Sequence, residues 1–394
     1  MHANNRRRLS TLTRLMAAAV LALAAGAWTG PRQHPAENGV TSTTITFGQT
    51  VPQSGPAALY GQSKWGVLAE FAAVNAHGGV QGRKLQLISL DDQYSPPVAV
   101  QDTRKLVDQY KVFAEVAVNG SATTKANLTV LDPANVPLIG PQTGATYLVT
   151  TFRKNVYNVW PSYLTEGKLL GSFAKNTLHL KKIGVFFQND DFGKSLYDGV
   201  KSAGVRAAKE IPYDPSQTDF SAQAEQLKAG GIDGIIILAI PGKATAFLNN
   251  MASIDYRPAR IMSQTSAIPQ SFSLSPREFP GSYIGAFIPP LTGQHLTPPN
   301  AQRSAFLADM ARYEPGKPAS VFAGWGYMEA QVAVAGLKAI HGAITRESYE
   351  AALNSLKNVQ TLGGTISYSP KNHNGVQHMF IVKAERGQLV AVTR

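Results

Sequence analysis

Apolar residues along this chain recur in two alternating patterns. Short apolar runs read as strands: Ile45-Thr46-Phe47-Gly48-Gln49, Lys84 to Leu90, Val112 to Val118 and Val136 to Gly140. Between the first two, Gln62 to Ala76 carries Trp65, Leu68, Ala69 and Ala72 at the spacing of one helical face, and Gly78-Gly79 ends that helix. Pro97 opens the next helix, which carries Val98, Leu106, Val107 and Tyr110. Proline suits a first turn because the N–H it lacks would have no partner there. Ala122 to Leu131 is a further helix.

The alternation restarts after Tyr157. Thr165 to Asn176, Phe192 to Ala203, Asp219 to Ala229 and Ala244 to Ser253 read as helices. Lys182 to Phe187, Ile232 to Ala239 and Arg260 to Ser263 read as strands, the second apolar throughout, as in a parallel sheet covered on both faces. Residues 289–299 are rich in Pro and Thr and read as a loop. Arg303 to Tyr313, Val321 to Ala339 and Glu347 to Leu356 are helices; Gly324 and Gly326 in the second suggest close packing or a bend. Thr365 to Tyr368 and His378 to Lys383 read as closing strands. The pattern predicts two open, mostly parallel α/β sheets.

Composition narrows the function. The 394 residues hold no cysteine, which excludes disulfides, thiol nucleophiles and thiolate metal sites. The chain starts with Arg6, Arg7, Arg8 and Arg14 and no acid, then an apolar run from Leu15 to Ala27. Ala25-Gly26-Ala27 offers a small-x-small cleavage site, so residues 1–27 read as a secretory signal. The run is shorter than the ~20 residues of a membrane-spanning helix. Arg7-Arg8 only loosely matches a twin-arginine signal, and a lipoprotein anchor would need a cysteine. The expected location is therefore periplasmic or secreted. Loss of the signal lowers the formal charge from +12 to +8, scattered without a basic stripe, so no nucleic-acid partner is expected. Residues 28–42 read as a flexible leader.

In open parallel sheets, ligands sit beyond the carboxyl ends of the strands, where helix N-termini favour anions. The junctions there read Pro52-Gln53-Ser54-Gly55-Pro56, Asn119-Gly120-Ser121-Ala122-Thr123-Thr124 and Pro141-Gln142-Thr143-Gly144. In the second half they read Gln188-Asn189-Asp190-Asp191-Phe192-Gly193, Ile240-Pro241-Gly242 and Ser263-Gln264-Thr265-Ser266. Such groups can hydrogen-bond a small polar ligand, or each hydroxyl can simply cap a helix. Catalytic patterns are missing. Gly193-Lys194-Ser195 mimics the end of a phosphate-binding loop, but Gln188 stands where that loop needs glycine. There is no G-x-S-x-G elbow, no G-x-G-x-x-G after a strand and no H-x-x-x-H zinc pair. His373 and His378 read as exposed. Asp91-Asp92 and Asp190-Asp191 point in different directions within each pair and read as helix caps or strand ends rather than an acid/base dyad. No enzyme activity, cofactor or metal is expected.

Several stretches resemble the leucine/branched-chain amino-acid-binding family, the periplasmic solute-binding proteins of ABC importers. They are Ile45 to Gln49 with Ser54-Gly55-Pro56 and Gly61, then Asn75-Ala76-His77-Gly78-Gly79-Val80-Gln81-Gly82-Arg83 followed by a strand ending in Asp91-Asp92. Pro137 to Pro141, Thr143-Gly144, Asn158-Val159-Trp160-Pro161-Ser162-Tyr163 and Asp190-Asp191-Phe192-Gly193 also fit, so the resemblance covers roughly residues 43–390. It implies a type I periplasmic binding protein: two doubly wound α/β lobes joined by three crossovers, near Val159, Ala286 and Leu362, with a ligand cleft between. Lobe 1 would hold 43–158 plus 287–361, and lobe 2 would hold 159–286 plus 362–394.

The resemblance further implies a monomer that closes on an amino acid or related small acid and hands it to an ABC permease. Gly120, Ser121, Gln142 and Thr143 would hold a carboxylate, with Ala122 beside Ser121 and Ser54 in the junction after the first strand. The family's acid for the α-ammonium falls at Gln264, which is neutral, and its second-lobe aromatic contacts at Phe192 and at the aliphatic pair Ile240-Pro241. A carboxylate with an apolar or aromatic body, or another small amide or acid, is then as well suited as a zwitterion. Tyr60 and Tyr163 would stack on it or pack in the core. A ligand sensor with the same fold is the alternative; a DNA-binding repressor would carry a helix-turn-helix where this chain carries its export signal.

Overall fold

The alternating strand that opens the domain, β1 (Thr44–Val51), buries Ile45 and Phe47 completely and leaves Thr44 and Thr46 at the rim. The structure, a computed structural model, describes residues 37–266, 271–291, 300–385 and 387–392; the expected signal and the first part of the leader lie outside them. Residues 37–42, expected as flexible leader, are instead tied down. Val40 bridges Ile45, Thr46 N–H donates to the Gly39 carbonyl at 2.8 Å, and the Glu37 carboxylate accepts from Arg346 N–H at 3.0 Å.

From β1 the chain runs through α1 (Ser63–Ala76), β2 (Lys84–Asp91), α2 (Pro96–Arg104), β3 (Ala114–Val116), α3 (Ser121–Leu131), β4 (Leu138–Ile139) and β5 (Val156–Tyr157). These strands form one parallel sheet, order β2-β1-β3-β4-β5. Next come α4 (Tyr163–Ser172), β6 (Ile183–Gln188), α5 (Asp191–Ser202), β7 (Lys209–Tyr213), α6 (Ser221–Ala229), β8 (Gly234–Leu238), α7 (Pro241–Ser253), β9 (Ala259–Met262) and β10 (Tyr283–Ala286). The chain then lays down α8 (Ala301–Tyr313), α9 (Val321–Lys338), α10 (Arg346–Ser355), the hairpin β11 (Val359–Thr361) and β12 (Gly364–Ile366), and finally β13 (Phe380–Glu385) and β14 (Gln388–Ala391). The second sheet has the order β14-β13-β10-β9-β8-β6-β7, with β13 and β14 antiparallel at its edge. Both halves thus wind first to one side of their opening strand and then to the other. This creates a switch point between β1 and β3 and another between β6 and β8.

The chain crosses between the sheets three times: after β5, after β10, and between β12 and β13. On the second of these it returns to pack α8 and α9 against α1. Five strands escape the hydrophobic pattern, β5, β7, β10, β11 and β14, and two of them show why. β7 (Lys-Glu-Ile-Pro-Tyr) carries two charged residues and Pro212, all tolerated because it lies at the sheet edge. β10 (Tyr-Ile-Gly-Ala) is too short and too glycine-broken to stand out, and pairing with β9 and β13 makes it a strand. The segment Thr365 to Tyr368, expected as a closing strand, pairs locally with Val359–Thr361 and joins neither large sheet. His373, expected to be exposed, is buried and stacks on Tyr157 at 4.0 Å, its Nε2 2.6 Å from Asn354 Oδ1; His378 is exposed.

The α1–α9 contact depends on bare backbone. A Cβ on Gly66 would lie 1.8 Å from the Ala323 carbonyl oxygen, and one on Gly326 would lie 2.0 Å from that of Ser63. Gly326 of the Val321 helix is therefore explained by close packing, whereas a Cβ on Gly324 would meet side chains, those of Leu362 and Leu291, at 3.1 and 3.2 Å. Gly66→Ala should push the helices apart and destabilise the protein by ~1–3 kcal/mol, as overpacking does. An unchanged urea midpoint would refute that contact.

Candidate functional site

The loops beyond β3 and β4 bring the first set of polar groups together. Gly120, at φ +93°, caps α3 and contributes no side-chain acceptor to it. The first-turn N–H groups of a helix have no partner within it, so this end is left available to an anion. Glycine is also required sterically, since a Cβ here would lie 2.9 Å from the Tyr94 ring. Ser121 Oγ is 2.8 Å from Thr143 Oγ1, and Tyr163 lines the same space as Ser121. Thr143 Oγ1 also accepts the Ala145 N–H at 3.1 Å, which fixes its position.

Behind this cluster runs a buried relay. Asn119 Nδ2 donates to Gln142 Oε1 at 3.1 Å, and Gln142 Nε2 donates to Glu329 Oε2 at 2.8 Å. Glu329 Oε1 accepts the Trp160 indole N–H at 2.8 Å. Glu329 sits on α9, so one carboxyl sets the orientation of two side chains that face the cleft. Trp160 in turn meets Trp325 edge-on at 4.6 Å, and Trp325 stacks near Tyr60 at 6.1 Å.

Tyr94 comes from the turn after β2. Gln93 and Tyr94 hold φ of +54° and +61°, a rare conformation for side-chain-bearing residues. The Asp92 carboxylate stabilises the turn by accepting the Tyr94 N–H at 2.8 Å. From the second half, Asp190 caps α5 by accepting the N–H groups of Phe192 and Gly193 at 3.0 and 3.2 Å, and Phe192 meets Tyr163 at 5.5 Å. Both acidic pairs therefore do what the sequence suggests, capping α5 and ending β2.

These groups converge on a narrow space that is partly open to solvent. Its walls are Tyr60, Tyr94, Asn119, Gly120, Ser121, Gln142, Trp160 and Tyr163, closed by Phe192, Ile240 and Thr265. The two halves touch around it. Tyr60 Oη donates to the Thr265 carbonyl at 3.1 Å, Gln188 Nε2 donates to Tyr94 Oη at 3.3 Å, and Lys125 pairs with Asp191 at 3.1 Å. No lining side chain carries a charge, and five of them are aromatic rings.

Seven expected site residues line the cavity: Tyr60, Gly120, Ser121, Gln142, Tyr163, Phe192 and Ile240. Thr143 stands just behind Ser121. Ala122, Pro241, Ser54 and Gln264 are not on the wall. Ser54 Oγ donates to Asp91 Oδ2 at 2.6 Å, and Pro241 opens α7. Gln264 turns to Glu166, donating its backbone N–H at 2.7 Å and its side-chain amide at 3.2 Å. Tyr94, Asn119, Trp160 and Thr265 line the cavity without having been singled out. All four sit at strand ends or at a crossover, but which member of a junction turns inward depends on the backbone turn. Among the described residues no cluster of three or more His, Cys, Asp or Glu could hold a metal, and no helix is long and apolar enough to cross a membrane.

Burial raises several acids around this framework: Glu70, Asp92 and Glu166 to about 7 and Glu115 to about 8, with Glu329 also well above its ordinary value. Between the ordinary carboxylate range and these values the folded chain binds more protons than the unfolded one, so stability falls as pH rises through that window. The melting temperature should therefore drop between about pH 5 and pH 8, and Glu115→Gln should flatten the slope. A melting temperature that climbs over this range would show that these carboxyls are ionised in the fold.

A family model described as "Periplasmic binding protein" matches residues 44–388. A protein named "Amino acid binding protein" from Pseudomonas aeruginosa is 27% identical over 52% of this chain, a match that spans 57% of that relative's length. The "Leu/Ile/Val-binding protein homolog 3" of Brucella melitensis is 22% identical over 88% of this chain and 93% of its own. A solved structure of a possible leucine/isoleucine/valine-binding protein from Rhodopirellula baltica superposes with a TM-score of 0.81, at 21% identity, covering 92% of this chain and 98% of that one.

Proposed function

We propose, for a chain that belongs to the periplasmic binding protein family, that it captures a small carboxylate with an apolar or aromatic body and delivers it unaltered to an ABC permease. The carrying observation is the cavity wall. It joins the uncapped start of α3 and the Ser121–Thr143 hydroxyls to five aromatic rings, and presents no charged side chain. Neutral donors at a helix N-terminus hold a carboxylate well. An ammonium in the same enclosure would be buried without a counter-charge, which is costly.

Capture works by closure of two lobes, 43–158 plus 287–361 against 159–286 plus 362–394. The bonds from Tyr60 to Thr265 and from Gln188 to Tyr94 belong to the closed arrangement. A ligand that touches both walls favours that arrangement over the open one. The protein acts outside the cytoplasm, as a monomer. The names of the relatives favour a second reading, in which the ligand is an amino acid whose ammonium is met by tyrosine hydroxyls.

Titration calorimetry with benzoate and with leucine separates the two. Benzoate should bind and leucine should bind more weakly; the reverse order would replace the first reading by the second. Ser121→Ala should weaken benzoate by ~1–3 kcal/mol, the size of a lost charge-assisted hydrogen bond, and Thr143→Ala by less, because Thr143 acts through the Ser121 hydroxyl it bonds. Unchanged affinity in both variants would mean that the carboxylate is held elsewhere. Benzoate should also reduce the radius of gyration measured by solution scattering, and an invariant radius would argue against closure.

A further inference from the structure

An acid stands directly behind the wall of the cleft. Glu329 is fully buried, and its carboxyl is one hydrogen bond of 2.8 Å from each of two wall residues, Gln142 and Trp160. It has no room to swing away. The backbone at Gly140, just past β4, lies against its stem, so that a Cβ there would come within 2.5 Å of Glu329 Cγ.

Among the described residues no ion pair includes Glu329, so no cation balances it. The titratable groups on the elements packed around α9 are turned to other partners. On α1, Lys64 donates to Gln53, and Glu70 lies beside Asp309. On α10, Arg346 bonds the Val112 and Phe113 carbonyls with Glu37 and Glu350 near it, Glu347 is exposed, and Tyr349 donates to the Ala333 carbonyl. Glu115 of β3 is near Asp92, and Tyr60, in the turn before α1, donates to Thr265. Tyr368, the neighbour that feels the Glu329 charge, donates to the Asn158 carbonyl.

A buried negative charge without a counter-charge is expensive, and burial moves this carboxyl well above its ordinary range. A second negative charge across the wall adds a repulsion that water and salt scarcely screen. Ionised Glu329 and a bound carboxylate therefore disfavour each other. Protonation removes the conflict and keeps the bonds. The acid O–H can donate to Gln142, whose amide has a carbonyl oxygen to turn toward it, while the other oxygen still accepts from Trp160.

We propose that Glu329 is the charge filter of the cleft: an anionic ligand is taken up only with this carboxyl neutral, so binding and ionisation exclude one another. The inference rests on the carboxylate reading above, and adds to it a residue that sorts ligands by charge without touching them. Linkage is reciprocal, so a bound carboxylate makes Glu329 harder to ionise. Affinity is full below the midpoint of the free protein and is lost as pH rises through it.

The test is titration calorimetry with benzoate from about pH 6 to about pH 9.5. Benzoate stays ionised throughout, so any change belongs to the protein. Wild-type affinity should fall at least about tenfold, the equivalent of one unit of mutual displacement. Binding within the fall should take up a proton, seen as a heat that varies with the ionisation enthalpy of the buffer. Glu329→Gln keeps a donor for Gln142 and an acceptor for Trp160 but cannot ionise. Its affinity should match the wild type at about pH 6 within about threefold, and change less than about threefold with pH. Asp92→Asn, Glu115→Gln and Glu166→Gln, which neutralise other buried acids, should each keep the fall. The proposal is overturned if wild-type affinity is flat, if Glu329→Gln falls in parallel with it, or if one of the other variants abolishes the fall. Should Glu329→Gln not fold, the wild-type proton uptake and the other three variants decide it. Benzoate that binds at no pH overturns the carboxylate reading and this inference together; benzoate that binds with a flat profile overturns this inference alone.

Discussion

One buried carboxyl ties the long helix of the first half to the wall of the cleft. Glu329 accepts from both Gln142 and Trp160, and through them it sets Asn119 and the Trp160–Trp325–Tyr60 stack. A buried acid is costly unless its oxygens are satisfied, and here each oxygen receives a donor from a residue that faces the ligand space. The helix that carries it can sit this close to α1 only because Gly66 and Gly326 let backbone touch backbone. Helix packing, relay and cavity shape are thus one linked constraint.

The architecture was legible because burial writes itself into the spacing of apolar residues. Both winding halves, the long helix and its close-packed glycines follow from that spacing. The exceptions have physical causes. β7 is an edge strand whose solvent side admits Lys209, Glu210 and Pro212, so it shows no apolar run. The segment 364–366 has strand character but pairs with the nearest partner in sequence, and pattern alone cannot assign a partner. His373 is polar in sequence yet buried, because the Asn354 carbonyl, the Val156 backbone and the Tyr157 ring satisfy it from three sides.

The cleft was legible at the level of junctions rather than of single residues. Gly120, Ser121, Gln142 and Tyr163 are placed by strand ends that any wound sheet would present. Ser54 and Gln264 sit in the right loops, yet both are spent on carboxylates, Asp91 and Glu166. Tyr94 reaches the cavity only through two consecutive residues at positive φ, a turn that no local propensity announces. Long-range chemistry, in which a glutamate on a helix 169 residues away orients a tryptophan at the wall, leaves no trace in spacing.

A wall without ions also bears on the setting in which an exported protein works. Mobile counter-ions weaken attraction between exposed charges, with a screening length near 10 Å at 0.1 M salt, but they act far less on buried dipoles. The proposed grip, made from a helix end, hydroxyls and rings, would give dissolved electrolytes little to shield. Affinity built this way would owe less to salt than one built on exposed ion pairs, outside a cell that has no control over the salinity around it.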